Sequence, residues 1–222
     1  MSYRLPDALQ DERDDTALSY LRTYYGTVPG ATPYTGSYFD GWGHDNDPYR
    51  FTAEDLVAVT FLSVVVKPMA AQAVLGDRAG MLSALLRQID PADELVDVGT
   101  AFTSEHPVWR LDTALRGLKK GIGRTISSKL LARKRPLLVP VYDTVIDQVT
   151  NASEQWNPLR LALQADSRHL HERLARLRHA AGVDERVPVL RVYDVVCWME
   201  GKVRRVHATE PDEQLGARLT DD

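Results

Sequence analysis

Apolar residues recur along the chain at the three- and four-residue intervals of buried helix faces, and glycine and proline mark the breaks between them. Leu18, Leu21 and Tyr25 form the first stripe, which predicts a helix over 16–25 closed by Gly26. Residues 27–50 are rich in Gly, Pro, Asp and aromatics. That is long for a connection without structure, so the segment is either functional or packed through its rings. Thr52 then reads as an N-cap, with Glu54 and Asp55 in the first turn, where carboxylates complement the helix dipole. "DLVAVTFLSVVV" is apolar all round, which predicts one buried helix running through its β-branched end. "PMAAQAVLG" and "AGMLSALLRQI" predict two shorter helices, and 104–118, "RTISSKLLARK" and "YDTVIDQV" three more. "WNPLRLALQADSRHLHERLARLRHAAG" predicts one or two, and "VPVLRVYDVVCWMEG" a last one after Pro188.

No βαβ alternation and no internal repeat interrupts this pattern. The predicted fold class is all-α, with eight or more helices. The expected organisation is an N-terminal helix and aromatic loop (1–50), a helical domain (51–206) and a frayed tail (207–222).

With 222 residues, 44% hydrophobic and 26% charged, the chain has the composition of a globular protein. No apolar run is long enough to span a membrane, and the polar, acidic N-terminal residues have no signal-like core, so no membrane partner and a cytoplasmic location are expected. The single cysteine, Cys197, allows no internal disulfide and no four-cysteine zinc or iron–sulfur site. Asp40, His44, Asp45 and Asp47 in "FDGWGHDND" do not follow EF-hand spacing and read as turn residues. Neither metal nor cofactor is expected.

The net charge of −4 is unevenly spread: residues 1–115 carry 17 acidic and 8 basic groups, and residues 116–222 carry 14 and 19. The asymmetry predicts one cationic face. Its densest part surrounds "LKKGIGRT". Arg116, Lys119, Lys120, Arg124, Lys129, Arg133, Lys134 and Arg135 follow one another with no acidic residue between. Gly121 and Gly123 permit a tight turn, and the next helix would begin with unpartnered N–H groups at its positive end. Cations around such a turn suit a nucleic-acid backbone. Twenty residues after Gly123 lies Asp143, in "VYDTVI", at a position that also suits an N-cap.

This stretch of about 30 residues resembles the helix-hairpin-helix element of the helix-hairpin-helix DNA glycosylase superfamily. There a hydrophobic-Gly-hydrophobic-Gly turn binds a DNA phosphate through backbone amides, and an Asp-Thr pair follows at this spacing. The wider chain, including "YTGSYFDGW" and "LLARKRPLLVPVYD", also resembles a family of uncharacterised actinobacterial proteins. The superfamily resemblance implies an all-α helical bundle in which Lys119, Lys120, Gly121, Ile122, Gly123, Arg124, Thr125 and Lys129 hold duplex DNA by its backbone and Asp143 is the catalytic acid. A carboxylate there would stabilise the positive sugar of N-glycosidic cleavage and orient water, while a flipped base is held by stacking, with Tyr38, Phe39, Trp42 and Tyr142 as pocket candidates beside Tyr34. Members that also act as lyases carry lysine two residues after the second glycine. Thr125 stands there, so the implied activity, where there is one, is that of a monofunctional DNA N-glycosylase of base excision repair. A DNA-binding protein without catalysis, or a protein-interaction domain whose basic run meets an acidic partner, fits the same residues.

Overall fold

The computed structural model of the chain describes residues 3–10, 13–43, 47–118, 121–152 and 154–216, with side chains described as far as residue 205. Among them there are nine α-helices and no strand. They are α1 (Asp14–Tyr25), α2 (Ala53–Phe61), α3 (Pro68–Gln72), α4 (Ala79–Leu86), α5 (Pro107–Arg116), α6 (Arg124–Lys134), α7 (Thr144–Thr150), α8 (Trp156–Ala180) and α9 (Val189–Gly216). The all-α class is as expected. No helix among the described residues is long and apolar enough to cross a membrane.

Local rules account for most boundaries. Asp14 and Asp15 open α1, and Gly26 closes it in the left-handed region (φ 64°). At the start of α2 the Asp55 carboxylate reaches back to the Thr52 N–H at 2.8 Å. Pro68 takes the first position of α3. The long apolar run 55–66 is not one helix. It ends at Phe61; Ser63 adopts φ 60°, and residues 64–67 are irregular. Pro68 keeps its neighbour Lys67 out of the helical region (φ −62°, ψ 150°), but the helix has already ended at Phe61. α8 is likewise broken at Ala165–Arg168, where three successive residues are left-handed. The last helix continues to Gly216, past the expected start of the tail.

α9 is the central element. It packs against α1, α7 and α8, while α6 packs against α2 and α5. One core runs through both groups, from Leu9 and Leu21 through Leu111 and Leu131 to Tyr193 and Val196. Around Gly201 the packing is close: a Cβ there would lie 2.3 Å from Val145 Cγ1, so glycine lets α7 lie directly on α9. That contact fixes the position of the residue preceding α7, Asp143.

Candidate functional site

Asp143 is extended (φ −142°, ψ 151°) and caps α7, its Oδ1 accepting the Val145 N–H at 2.9 Å. Its Oδ2 accepts from Lys129 Nζ at 3.3 Å. The Lys129 ammonium also donates to the Leu62 carbonyl at 2.8 Å, and its side chain is 3% exposed. Burial pulls the Lys129 pKa below its ordinary value, and Asp143 opposes that pull. The pair sits in the wall of a cavity of about 300 Å³. The sequence expectation of a cap and the expectation of an acid facing a cleft therefore meet in one side chain.

Aromatic rings form much of the remaining wall. Tyr24 and Tyr34 stack at 5.6 Å between centroids, and Trp198 stands edge-on to both. Lys202 lies 4.4 Å above the Tyr34 ring and 5.1 Å from that of Trp198. Phe61 completes this side, and the exposed rings of Tyr38 and Trp42 lean on it from outside. A flat, apolar molecule with polar edges suits such a lining.

The same cavity is bordered by two buried charges of α9, Arg191 and Asp194. Arg191 Nη1 donates to Asp194 Oδ2 at 2.6 Å, and its Nε meets both oxygens of Asp40 at 3.2 and 3.0 Å. Burial depresses the Arg191 guanidinium, but the two carboxylates outweigh it and hold the group firmly charged.

The glycine turn lies at the other end of the same short stretch of α6. At Gly121 (φ 156°) a Cβ would meet the Cβ atoms of Ala70 and Lys67 at 3.2 Å, so glycine is needed there for α3 to approach. Ile122 is buried beneath the turn. Gly123 is the N-cap of α6 and has no side chain to satisfy the first N–H groups of that helix. Arg124 stacks on Tyr142 at 3.8 Å, and Tyr142 Oη donates to Asp147 at 3.1 Å. The Thr125 carbonyl accepts from Ser128 Oγ at 3.1 Å. Five residues of α6 separate Arg124 from Lys129, a rise of about 7.5 Å, so turn and cavity are neighbours.

Several expected roles change. Lys119 and Lys120 lie outside the described residues, as do His44 and Asp45. Lys129, expected on a phosphate, is internal. So are its basic neighbours. Lys134 Nζ pairs with Asp55 at 2.6 Å, and Arg133 Nε with the same carboxylate at 3.4 Å. Arg133 also donates to the carbonyls of Phe39, Asp40 and Trp42. Arg135, fully buried, donates to the carbonyls of Leu86, Ile89 and Pro48. These groups seat the 27–50 loop and the end of α4, because their partners are carbonyls of those segments and the buried Asp55 carboxylate. Phe39 is buried under Arg191 at 4.7 Å and cannot stack on a ligand. Tyr142 serves Arg124 and does not line the cavity. Asp40, read as a turn residue, pairs with Arg191.

Tyr24, Trp198, Arg191, Asp194 and Lys202 were not expected at the site. Helical periodicity assigns them to core or surface without saying which distant element they meet. The one signal available was the pair Arg191 and Asp194, i and i+3 in the otherwise apolar stretch "VPVLRVYDVVCWM", where charges are rarely buried without a task.

Residues 17–201 match the profile of a family of unknown function (DUF6308). The chain belongs to that family. Its matched span holds the glycine turn and the lining of the Asp143 cavity except Lys202. No curated protein and no solved structure matches the chain.

Proposed function

We propose that this protein binds duplex DNA through the Gly121–Gly123 turn and cleaves an N-glycosidic bond at Asp143, as a monofunctional DNA glycosylase acting on a modified or mispaired base. The observation that carries the reading is that Asp143, twenty residues after Gly123, faces a cavity of about 300 Å³ walled by aromatic rings. In this reading the turn and the first N–H groups of α6 hold a phosphate, with Arg124, kept flat on Tyr142, beside them. The nucleotide is flipped, and its base enters among Tyr34, Phe61 and Trp198. Asp143 then stabilises the positive sugar and takes a proton from the attacking water. Lys129, hydrogen-bonded to its Oδ2, fixes the direction of the carboxylate.

The test is release of free base from a panel of lesion-bearing duplexes. The unaltered protein is expected to release a base from at least one, and Asp143→Asn to reduce that rate by about 100-fold or more. Asparagine retains an oxygen for the Val145 cap, so the loss reports on charge. Undiminished release by the variant refutes the assignment.

A further inference from the structure

Arg191 is one cation between two carboxylates, Asp40 and Asp194, in the wall of the Asp143 cavity. With both ionised the cluster holds a surplus negative charge away from water, which is costly. A single proton removes it. Of the two carboxyls Asp194 is the more enclosed, its side chain 4% exposed against 11% for Asp40. Asp194 Oδ2 is fully engaged, accepting from Arg191 and from the Val141 N–H at 2.8 Å. Asp194 Oδ1 is buried without a hydrogen-bond partner among the described residues. It is the atom that would carry the proton.

The groups facing Asp194 come from six segments. Arg191 and the Cys197 thiol share its helix, Tyr24 and Tyr25 project from α1, and Tyr3 lies in the N-terminal segment. Asp40 belongs to the aromatic loop, and Lys129 and Asp143 border the same cavity from α6 and the start of α7. Burial pushes the Asp194 carboxyl up to about 7, against the pull of Arg191 and the Val141 N–H, and Asp40 adds to the rise.

We infer that Asp194 is the proton donor to the departing base. This rests on the N-glycosidase reading of the cavity. As the bond from C1′ to the base nitrogen breaks, its electron pair goes to the base. The proton passes from Asp194 Oδ1 to the base, which leaves neutral. Water adds its oxygen to C1′ and gives its proton to Asp143. Asp194 ends ionised and Asp143 protonated, and proton exchange with solvent restores both. Two carboxyl groups thus divide the work of one hydrolysis, as acid and base.

The experiment has two arms on the full chain. In the first, aspartate carboxyl carbons are labelled with ¹³C and titrated by NMR, with Asp194 assigned by its loss in Asp194→Asn. The expected midpoint is about 7. Asp40→Asn removes the surplus charge and is expected to lower the midpoint; a midpoint below about 5 in the unaltered protein, or no response to Asp40→Asn, overturns the inference. In the second arm, base release is measured from a duplex carrying N7-methylguanine, a cationic base that needs no proton to leave, and from one carrying neutral hypoxanthine. Asp194→Asn is expected to slow hypoxanthine release about 100-fold or more and to leave methylguanine release nearly unchanged. Equal loss on both duplexes overturns the donor role while the glycosidase reading stands. No release from these two or from any other duplex of the lesion panel by the unaltered protein refutes the reaction and the donor role together.

Discussion

Asp143→Ala removes two interactions at once, and their magnitudes can be separated. The Val145 N–H loses its acceptor, and an N-cap of this kind is worth about 1 kcal/mol. The Lys129 ammonium, 3% exposed, keeps only the Leu62 carbonyl. A buried charge stripped of its partner costs about 3–5 kcal/mol. That cost has a ceiling, because lysine can shed its proton instead: neutralising an ordinary lysine at pH 7 takes about 5 kcal/mol, and burial has already lowered the Lys129 pKa. We expect Asp143→Ala to lose about 4–5 kcal/mol at pH 7. In a Lys129→Met background the same change should cost only the cap, about 1 kcal/mol. The pH dependence has a definite sign. Without Asp143 the folded-state pKa of Lys129 falls further below its unfolded value. Between the two values the unfolded chain binds more protons, so the stability of Asp143→Ala rises with pH through that window. Urea unfolding of the four proteins of the cycle, followed by circular dichroism at pH 7 and pH 9.5, measures both effects. A coupling below about 1 kcal/mol, or a deficit that does not shrink at the higher pH, refutes the reasoning.

Lys134→Met takes the ammonium from the fully buried Asp55 carboxylate, which keeps Arg133 at 3.4 Å and the Thr52 N–H, and should cost about 3 kcal/mol in chemical denaturation; a solvated cation would cost less than about 0.5. Gly201→Ala drives a methyl group against Val145 and should destabilise by about 1–3 kcal/mol, seen in thermal melting as a fall of about 2–4 °C per kcal/mol. Binding of a duplex, titrated by fluorescence anisotropy, should have a salt slope nearer −4 than −7, since at about −0.9 per phosphate contact four of the eight cations in 116–135 are internal. Arg124→Ala should shallow that slope by about one.

The helices were legible wherever the cause of a boundary is local. Gly26, the Thr52–Asp55 pair and Gly123 each act within a turn of the end they specify, and those ends fall close to where the pattern puts them. Ser63 and the break at Ala165–Arg168 were not legible, because left-handed residues other than glycine carry no pattern of their own. At the site, Asp143 and the turn were visible because they lie close together along the chain. The rest of the cavity joins α1, the 27–50 loop, α2, α6 and α9, and no periodicity encodes which helix faces which. Burial of the basic run was illegible for the same reason. A stretch of cations without acids reads as solvated when its partners are Asp55 and the carbonyls of Phe39, Pro48 and Ile89, far away in sequence.

Burial of those cations changes how experiments on DNA binding must be read. Arg133, Lys134 and Arg135 hold the loop that carries Tyr34, Tyr38 and Asp40, and through Asp40 they support Arg191 beside the cavity. Charge removal in this run would weaken the proposed DNA binding by releasing the loop, and an affinity alone would not separate that from loss of a phosphate contact. A direct contact weakens binding with stability unchanged and makes the salt dependence shallower. A structural cation lowers stability first, and binding at low temperature survives it. Arg124, on the first turn of α6 and stacked on a partly exposed ring, belongs to the first kind; Lys134, at 2.6 Å from a carboxylate with no exposure, belongs to the second. Any assignment of a DNA-binding face on this fold has to pair each affinity with an unfolding curve, because sequence proximity to the glycine turn does not separate the two kinds.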